Sequence, residues 1–182
     1  MYIDYPGVYD LEYNNYEYSF IVNPIITGIE NLGVYSTSVT PYISSGTTYL
    51  NNDVYVSGTE ISEPGNYRLK VIGANDYVKE VQFTITSDIK GVLHNQTYSD
   101  DVEISFNGDG YLNNTFIESP YTISGPGDYI LKIQGNGNYL ETLYFNIVEA
   151  EEETTLIDII QKYDVVFLAV VVIGGGIILK KK

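Results

Sequence analysis

The chain has no cysteine and no tryptophan, and a single histidine and a single methionine in 182 residues. Without cysteine there can be no disulfide, no thiolate metal site and no thiol nucleophile. The one histidine, His94 in His94-Asn95-Gln96-Thr97, leaves little room for zinc or imidazole chemistry and reads as a polar loop residue. Basic side chains are scarce: 9 Lys+Arg stand against 24 Asp+Glu, a formal net charge of −15. Phosphate contacts need clustered Lys and Arg, so no nucleic-acid partner is expected. No Gly-x-Ser-x-Gly elbow and no Gly-x-x-x-x-Gly-Lys loop occurs. Carboxylates are spread so widely that no pair stands out for acid–base work. The expectation is a protein that is not an enzyme and carries no catalytic residues.

Hydrophobic residues make up 44% of the chain, with 19 Tyr and 17 Gly, so this is not a disordered acidic tail. At roughly 100–200 residues per domain the length allows one domain, or two small ones if the chain repeats. It does repeat. Tyr49-Leu50-Asn51-Asn52 returns as Tyr111-Leu112-Asn113-Asn114, an offset of 62 residues. The same offset relates Ile61-Ser62-Glu63-Pro64-Gly65-Asn66-Tyr67-Arg68-Leu69-Lys70-Val71 to Ile123-Ser124-Gly125-Pro126-Gly127-Asp128-Tyr129-Ile130-Leu131-Lys132-Ile133. Earlier positions, such as Gly28 with Gly91 and Val39 with Val102, align at offset 63, one residue apart. The repeats span 25–86 and 87–148. Ile3-Asp4-Tyr5-Pro6-Gly7-Val8-Tyr9-Asp10-Leu11 carries the same I-x-x-P-G-x-Y-x-L pattern. Residues 1–24 therefore read as the last two strands of a truncated repeat.

Each repeat reads as strand. Val102, Ile104 and Phe106 alternate with Glu103, Ser105 and Asn107; Tyr67, Leu69 and Val71 show the same period; and Tyr129, Leu131 and Ile133 alternate with Ile130 and Lys132. A period of two with one apolar face predicts half-buried antiparallel strands. Turn signals fall at Glu63-Pro64-Gly65, Gly73-Ala74-Asn75-Asp76, Asn107-Gly108-Asp109-Gly110 and Gly135-Asn136-Gly137-Asn138. Short strands at this spacing predict an all-β fold of tandem small sandwiches.

In immunoglobulin-type sandwiches a Tyr near the start of strand F, two residues before a core Cys, turns its hydroxyl back onto the preceding corner. Tyr67 precedes Leu69 by two and Tyr129 precedes Leu131 by two. Pro64, Gly65, Tyr67, Pro126, Gly127 and Tyr129 are the candidate corner residues. The competing reading is a tight hairpin followed by an ordinary strand Tyr.

These residues resemble a family. Gly91-Val92, Tyr98, Asp101-Val102, Ile104, Phe106, Tyr111-Leu112-Asn113, Ile123, Pro126-Gly127, Tyr129, Leu131, Phe145 and Ile147 follow a pattern similar to the short bacterial Ig-like repeats of Gram-positive cell-surface proteins. In that family a T-L-N-G segment stands where Tyr111-Leu112-Asn113-Asn114 stands here. The resemblance covers residues 1–148. It implies arrays of Ig-like β-sandwich modules on the cell surface, acting as spacers or adhesive stalks. The chain departs from many relatives in its Tyr content and simple tail. No LPxTG-like motif is present, so covalent wall attachment is not expected.

The tail differs from the body. Residues 149–153 hold four acids, and 149–162 read as an acidic juxtamembrane stalk. From Val165 to Leu179 no side chain is charged or polar, and Lys180, Lys181 and Lys182 follow. A spanning helix usually needs about 20 apolar residues. An interfacial Tyr163 and snorkelling Lys stems lengthen the effective span. The expectation is a transmembrane helix over 163–179, with 180–182 as a cytoplasmic stop under the positive-inside rule. A buried core helix is the alternative. This outline places the body outside a cell membrane crossed once, with the bilayer as a partner. Met1-Tyr2-Ile3-Asp4-Tyr5-Pro6 is no signal peptide. The chain is therefore read either as the C-terminal part of a longer protein, which the cut repeat favours, or as a tail-inserted protein.

No cofactor is expected. Calcium is the one metal whose oxygen ligands the loops offer, at Asp100-Asp101 and Asn107-Gly108-Asp109, without a complete ligand set. Asn95-Gln96-Thr97 and Asn113-Asn114-Thr115 fit the glycosylation sequon. Tyr5, Tyr13, Tyr16 and Tyr18 cluster near the start, and exposed Tyr supplies contact area with a polar tip. The leading expectation is a surface-displayed structural spacer of adhesin-like type. Two alternatives are a module that binds a surface glycan or protein through exposed Tyr, and an accessory membrane subunit packed through Gly174, Gly175 and Gly176.

Overall fold

A computed structural model describes residues 3–150, 169–173 and 176–180. All its regular structure is β. Strands β1 (Gly7–Tyr13) and β2 (Tyr16–Val22) form an antiparallel hairpin. The next group is β3 (Ile26–Thr27), β4 (Gly33–Tyr35), β5 (Tyr42–Ile43), β6 (Thr47–Leu50), β7 (Asp53–Val54), β8 (Gly65–Ile72) and β9 (Val78–Ile85). The last is β10 (Gln96–Tyr98), β11 (Val102–Ile104), β12 (Asp109–Leu112), β13 (Thr115–Ile117), β14 (Tyr121–Ile123), β15 (Gly127–Gln134) and β16 (Leu140–Ile147).

Both groups share one plan. A five-stranded sheet runs β4-β9-β8-β6-β7 in the first and β10-β16-β15-β12-β13 in the second. Its first pair is parallel and the rest antiparallel. The opposing layer is short. It holds the β3–β5 pair with a Val39–Ile61 bridge in the first repeat, and the β11–β14 pair with a Lys90–Ser105 bridge in the second. Sequence alternation positions the layers. In β8, Tyr67, Leu69 and Val71 are buried while Asn66 and Arg68 are exposed. Opposite them on the same face lie Phe83 and Val81, paired with Tyr67 and Leu69.

Each repeat closes its own core. The first is built from residues between Ile29 and Ile85, the second from residues between Val92 and Ile147. Full burial of one such side chain is worth about 1.5–3 kcal/mol. Sandwiches of this size are still marginal alone, so contacts between repeats matter to their stability. Asn-Asn pairs close three hairpins. Asn14 and Asn15, Asn51 and Asn52, and Asn113 and Asn114 all have positive φ between 48° and 78°, the backbone that two-residue hairpin turns require.

The C-terminal unit, residues 150–182, is a separate compact unit. The expected helix over 163–179 is not what its described part shows. β17 (Ala169–Ile173) pairs antiparallel with β18 (Gly176–Lys180), Val171 opposite Ile178. The physical reason lies in the side chains. Val and Ile lose χ1 freedom in a helix and favour the pleated strand. Among the described residues no helix is long and apolar enough to cross a membrane, which says nothing of a β-barrel. The acidic stalk over 151–162, the residues 163–168 and the last two lysines of the stop lie outside the described residues.

Candidate functional site: the joint between repeats

The corner expected at Pro-Gly-x-Tyr has the same geometry three times. The Tyr67 hydroxyl donates to the Glu63 carbonyl at 2.8 Å, Tyr129 to Gly125 at 2.9 Å and Tyr9 to Tyr5 at 3.0 Å. Each Tyr stacks on the Phe across the strand pair. Ring centroids are 5.8 Å apart for Tyr9–Phe20, 5.2 Å for Tyr67–Phe83 and 5.5 Å for Tyr129–Phe145. Offset aromatic pairs at this distance add to plain burial.

The corner also joins one repeat to the next. Pro64 and Gly65, the end of one corner and the start of β8, meet the β15–β16 turn of the second repeat. Asn66 N–H donates to the Asn136 carbonyl at 3.0 Å, and Asn136 N–H donates to the Pro64 carbonyl at 2.9 Å, so Gly65 and Asn136 form a parallel bridge. The Asn136 side-chain amide donates to Glu63 Oε2 at 2.6 Å and to the Tyr67 hydroxyl at 3.2 Å. Two side chains and two backbone groups of the first repeat are thus paired with the side chain and both backbone groups of Asn136. Close approach requires glycine at 135: a Cβ there would lie 2.2 Å from the Pro64 carbonyl oxygen.

The same joint occurs upstream. Ala74 N–H donates to the Pro6 carbonyl at 2.8 Å, Gly7 bridges Ala74, and a Cβ on Gly73 would fall 2.1 Å from Pro6 O. At each joint a turn tyrosine is bonded to the segment that leads into its own repeat. Tyr77 donates to Asn23 Oδ1 at 2.7 Å. Tyr139 accepts from Ser87 N–H at 3.0 Å and donates to Glu141 Oε2 at 2.6 Å, while the buried Ser87 hydroxyl also donates to Glu141 at 2.5 Å. Burial raises the phenol pKa of Tyr77 and, with the neighbouring Glu141 carboxylate, that of Tyr139. Burial is also the main cause of the rise at Tyr67, with Glu63 adding to it and the Asn136 hydrogen bond opposing it.

Pro126 and Gly127 form the third corner, and it is open. Both are exposed, and a Cβ on Gly127 would meet nothing nearer than the Tyr129 ring at 3.6 Å. Pro64 and Gly65 in the joined corner are buried. Val165, Leu179, Lys180, Lys181 and Lys182, the expected anchor residues, take no part in this site. Leu179 and Lys180 lie in β18, and Val165, Lys181 and Lys182 fall outside the described residues.

A groove of about 720 Å³ runs beside the joint. Asn51, Asn52, Asn66, Arg68 and Gln82 line its first-repeat side, and Asn136 and Asn138 the other. Asn51 is fixed: its Oδ1 accepts from Arg68 N–H at 2.9 Å and its amide donates to Asn66 O at 3.2 Å. Asn113 does the same with Ile130 and Asp128. That is the structural role of the recurring Tyr-Leu-Asn-Asn, which composition alone marks only as a repeat. Arg68 Nη2 donates to Asn52 Oδ1 at 3.2 Å.

The remaining candidates scatter. His94 accepts from Tyr144 N–H at 3.3 Å in a loop. Asp101 accepts from the Ser124 hydroxyl at 2.8 Å. Among the described residues no group of three or more His, Asp or Glu is placed to hold a metal. Tyr13, Tyr16 and Tyr18 are exposed on the β1–β2 hairpin.

No known family model matches the sequence, and no curated protein does. Among solved structures, the chain is similar to SGBP-B of the Bacteroides ovatus mixed-linkage glucan utilization locus, in complex with a mixed-linkage heptasaccharide. That match has 15% identity over 73% of this chain and 48% of the other, with a TM-score of 0.25. It is also similar to the insect immune protein hemolin, with 10% identity over 79% of this chain and 55% of the other, and a TM-score of 0.24. The chain thus spans about half the length of each. At these scores neither likeness bears on what this chain does.

Proposed function

We propose that residues 1–148 are a stiff spacer, the end of an array of Ig-like repeats that holds something at a set distance and angle from a cell surface. The observation that carries this reading is the repeated joint: Pro6 with Ala74, and Pro64 with Asn136, share the backbone bond to the proline carbonyl, a parallel bridge and the same glycine contact. Joints built from backbone hydrogen bonds at a glycine contact restrict bending more than a flexible linker does. In repeat arrays, stability and stiffness are set by such nearest-neighbour interfaces. The work is mechanical, with no bond made or broken, so the protein is not an enzyme on this reading.

The β1–β2 hairpin fits as the back half of a further repeat. Tyr9, Leu11, Tyr13, Tyr16, Tyr18 and Phe20 share one face, in the register that Tyr67, Leu69, Val71, Val81 and Phe83 occupy in β8–β9. In the intact repeat that face is core; here Leu11, Tyr13, Tyr16 and Tyr18 are exposed. Attachment through 163–182 rests on the uncharged run and its three lysines, with the body outside and the lysines inside.

Spin labels on exposed positions of the two repeats test the spacer reading. A narrow distance distribution in pulsed dipolar spectroscopy is the expected result. A broad distribution, like that of a flexible linker, would sink it.

A further inference from the structure

We propose that the groove at the joint between the two full repeats binds an acidic saccharide, its uronate carboxylate held by Arg68 and its hydroxyls by the surrounding amides. The argument starts from charge. Arg68 is the sole arginine in a chain of formal charge −15, yet no carboxylate lies in ion-pair range of it among the described residues, where Lys90–Asp88 forms the ion pair. Its side chain makes one hydrogen bond, to the neutral amide of Asn52. A guanidinium is a fork of several N–H donors matched to a carboxylate, and most of that fork is unspent.

The lining agrees. No Asp or Glu lines this groove, whereas each of three other grooves on the body carries at least one: Glu63 and Asp53, Glu30, and Glu63 with Asp109. An acid-free concavity with one cation, in so acidic a protein, is complementary to an anion. The other polar lining is mostly side-chain amide, from Asn51, Asn52, Asn66, Gln82 and Asn138. Asn51 is already bonded within the fold, and the Oδ1 atoms of Asn52 and Asn66 already accept. The donors these leave, with the Gln82 and Asn138 amides, which offer donors and an acceptor, suit sugar hydroxyls better than an acceptor-only phosphate. The volume lies in the range of small-ligand sites, about 300–1,000 Å³.

The site is not a by-product of the repeat. In the second repeat Ile130 stands where Arg68 stands, Asp128 where Asn66 stands and Tyr144 where Gln82 stands. At the joint between the two full repeats the second repeat closes the groove with Asn136 and Asn138. The proposal is independent of the spacer reading, since a stiff joint that binds no sugar remains a spacer.

The test is titration calorimetry of the full chain in neutral detergent with oligogalacturonate and with its methyl ester. The acid is expected to bind, with affinity falling as salt rises. The ester is expected to bind about tenfold or more weakly, the scale of one lost charge-assisted contact. Arg68→Ile installs the second repeat's own residue and should abolish the preference for the acid with little change in Tm. Arg68→Lys, which keeps the charge and loses the fork, should weaken binding by an intermediate factor and serves if the isoleucine variant misfolds. Equal binding of acid and ester, binding of neither, or undiminished binding by both Arg68 variants would overturn the proposal. So would equally tight binding of a poly-glutamate peptide, which would mark a general carboxylate site.

Discussion

The carbonyl oxygen of Pro64 accepts a hydrogen bond from the backbone N–H of Asn136 at 2.9 Å, across two repeats whose cores share no residue. Pro6 and Ala74 repeat it at 2.8 Å. A corner residue of one repeat is thus the docking edge for the next, and the Tyr that closes the corner, Tyr67, also accepts from the Asn136 amide of the second repeat. Corner and joint are one structure, so damage to either is felt by both.

Gly135→Ala follows from this directly. Its Cβ would sit 2.2 Å from a backbone oxygen that cannot move aside. The joint should open, at a cost of about 1–3 kcal/mol, the usual scale of overpacking. Gly127→Ala is the control. The open corner leaves its Cβ 3.6 Å from its nearest neighbour, and the change should fall within about 0.5 kcal/mol. Thermal unfolding of the two variants measures the difference; equal losses would show that the contact at Gly135 carries no special weight.

Alkaline pH should weaken the fold through its buried phenols. Tyr55, Tyr67, Tyr77 and Tyr139 all have raised pKa values, burial being the first cause in each. The folded chain then holds protons that the unfolded chain, titrating at about 10, releases first. Their contribution is fully present below that pH and is lost as pH rises through the folded values. Tm against pH should be flat with respect to these groups up to about 9 and fall beyond it. Tyr139→Phe should lower Tm at neutral pH, because it strips hydrogen bonds from Ser87 and Glu141, and should make the alkaline fall shallower. An unchanged alkaline slope would remove Tyr139 from the account.

The hairpin face offers a third measurement. A copy of residues 25–58 fused ahead of Met1, which aligns with Thr59, supplies the strands that cover the equivalent face of β8–β9. Amides of β1 and β2 should then gain hydrogen-exchange protection toward that of β8 and β9. No gain would mean that the Tyr13, Tyr16 and Tyr18 face is not an unfilled half-core.

Much of the fold is legible before any coordinates. Period-two alternation over Tyr67, Leu69 and Val71 shows which face is buried, because strand side chains alternate strictly and only one face meets the opposing layer. The P-G-x-Y spacing placed the corner at Tyr67 and Tyr129, since the hydroxyl reaches a carbonyl four residues back within one turn. Between Val165 and Leu179 the same method has no purchase. Every residue there is apolar or glycine, so neither a period of two nor one of 3.6 can appear. Length and the lysines point to a helix, while the described part pairs as strands.

By itself, then, the amino-acid order determined the repeat, the strands and the core positions of each sandwich, all of which depend on neighbours close in sequence. Only the tertiary structure decided the joint and the groove. Pro64 meets Asn136 through a carbonyl that every residue carries and an N–H that every residue but proline carries, so no side-chain pattern announces the contact. Arg68 gains meaning only when the turn of the next repeat folds over beside it and the carboxylates are seen to lie elsewhere. Long-range backbone pairing and the shape of a concave surface are properties of packing, and packing is where this chain becomes a joined array.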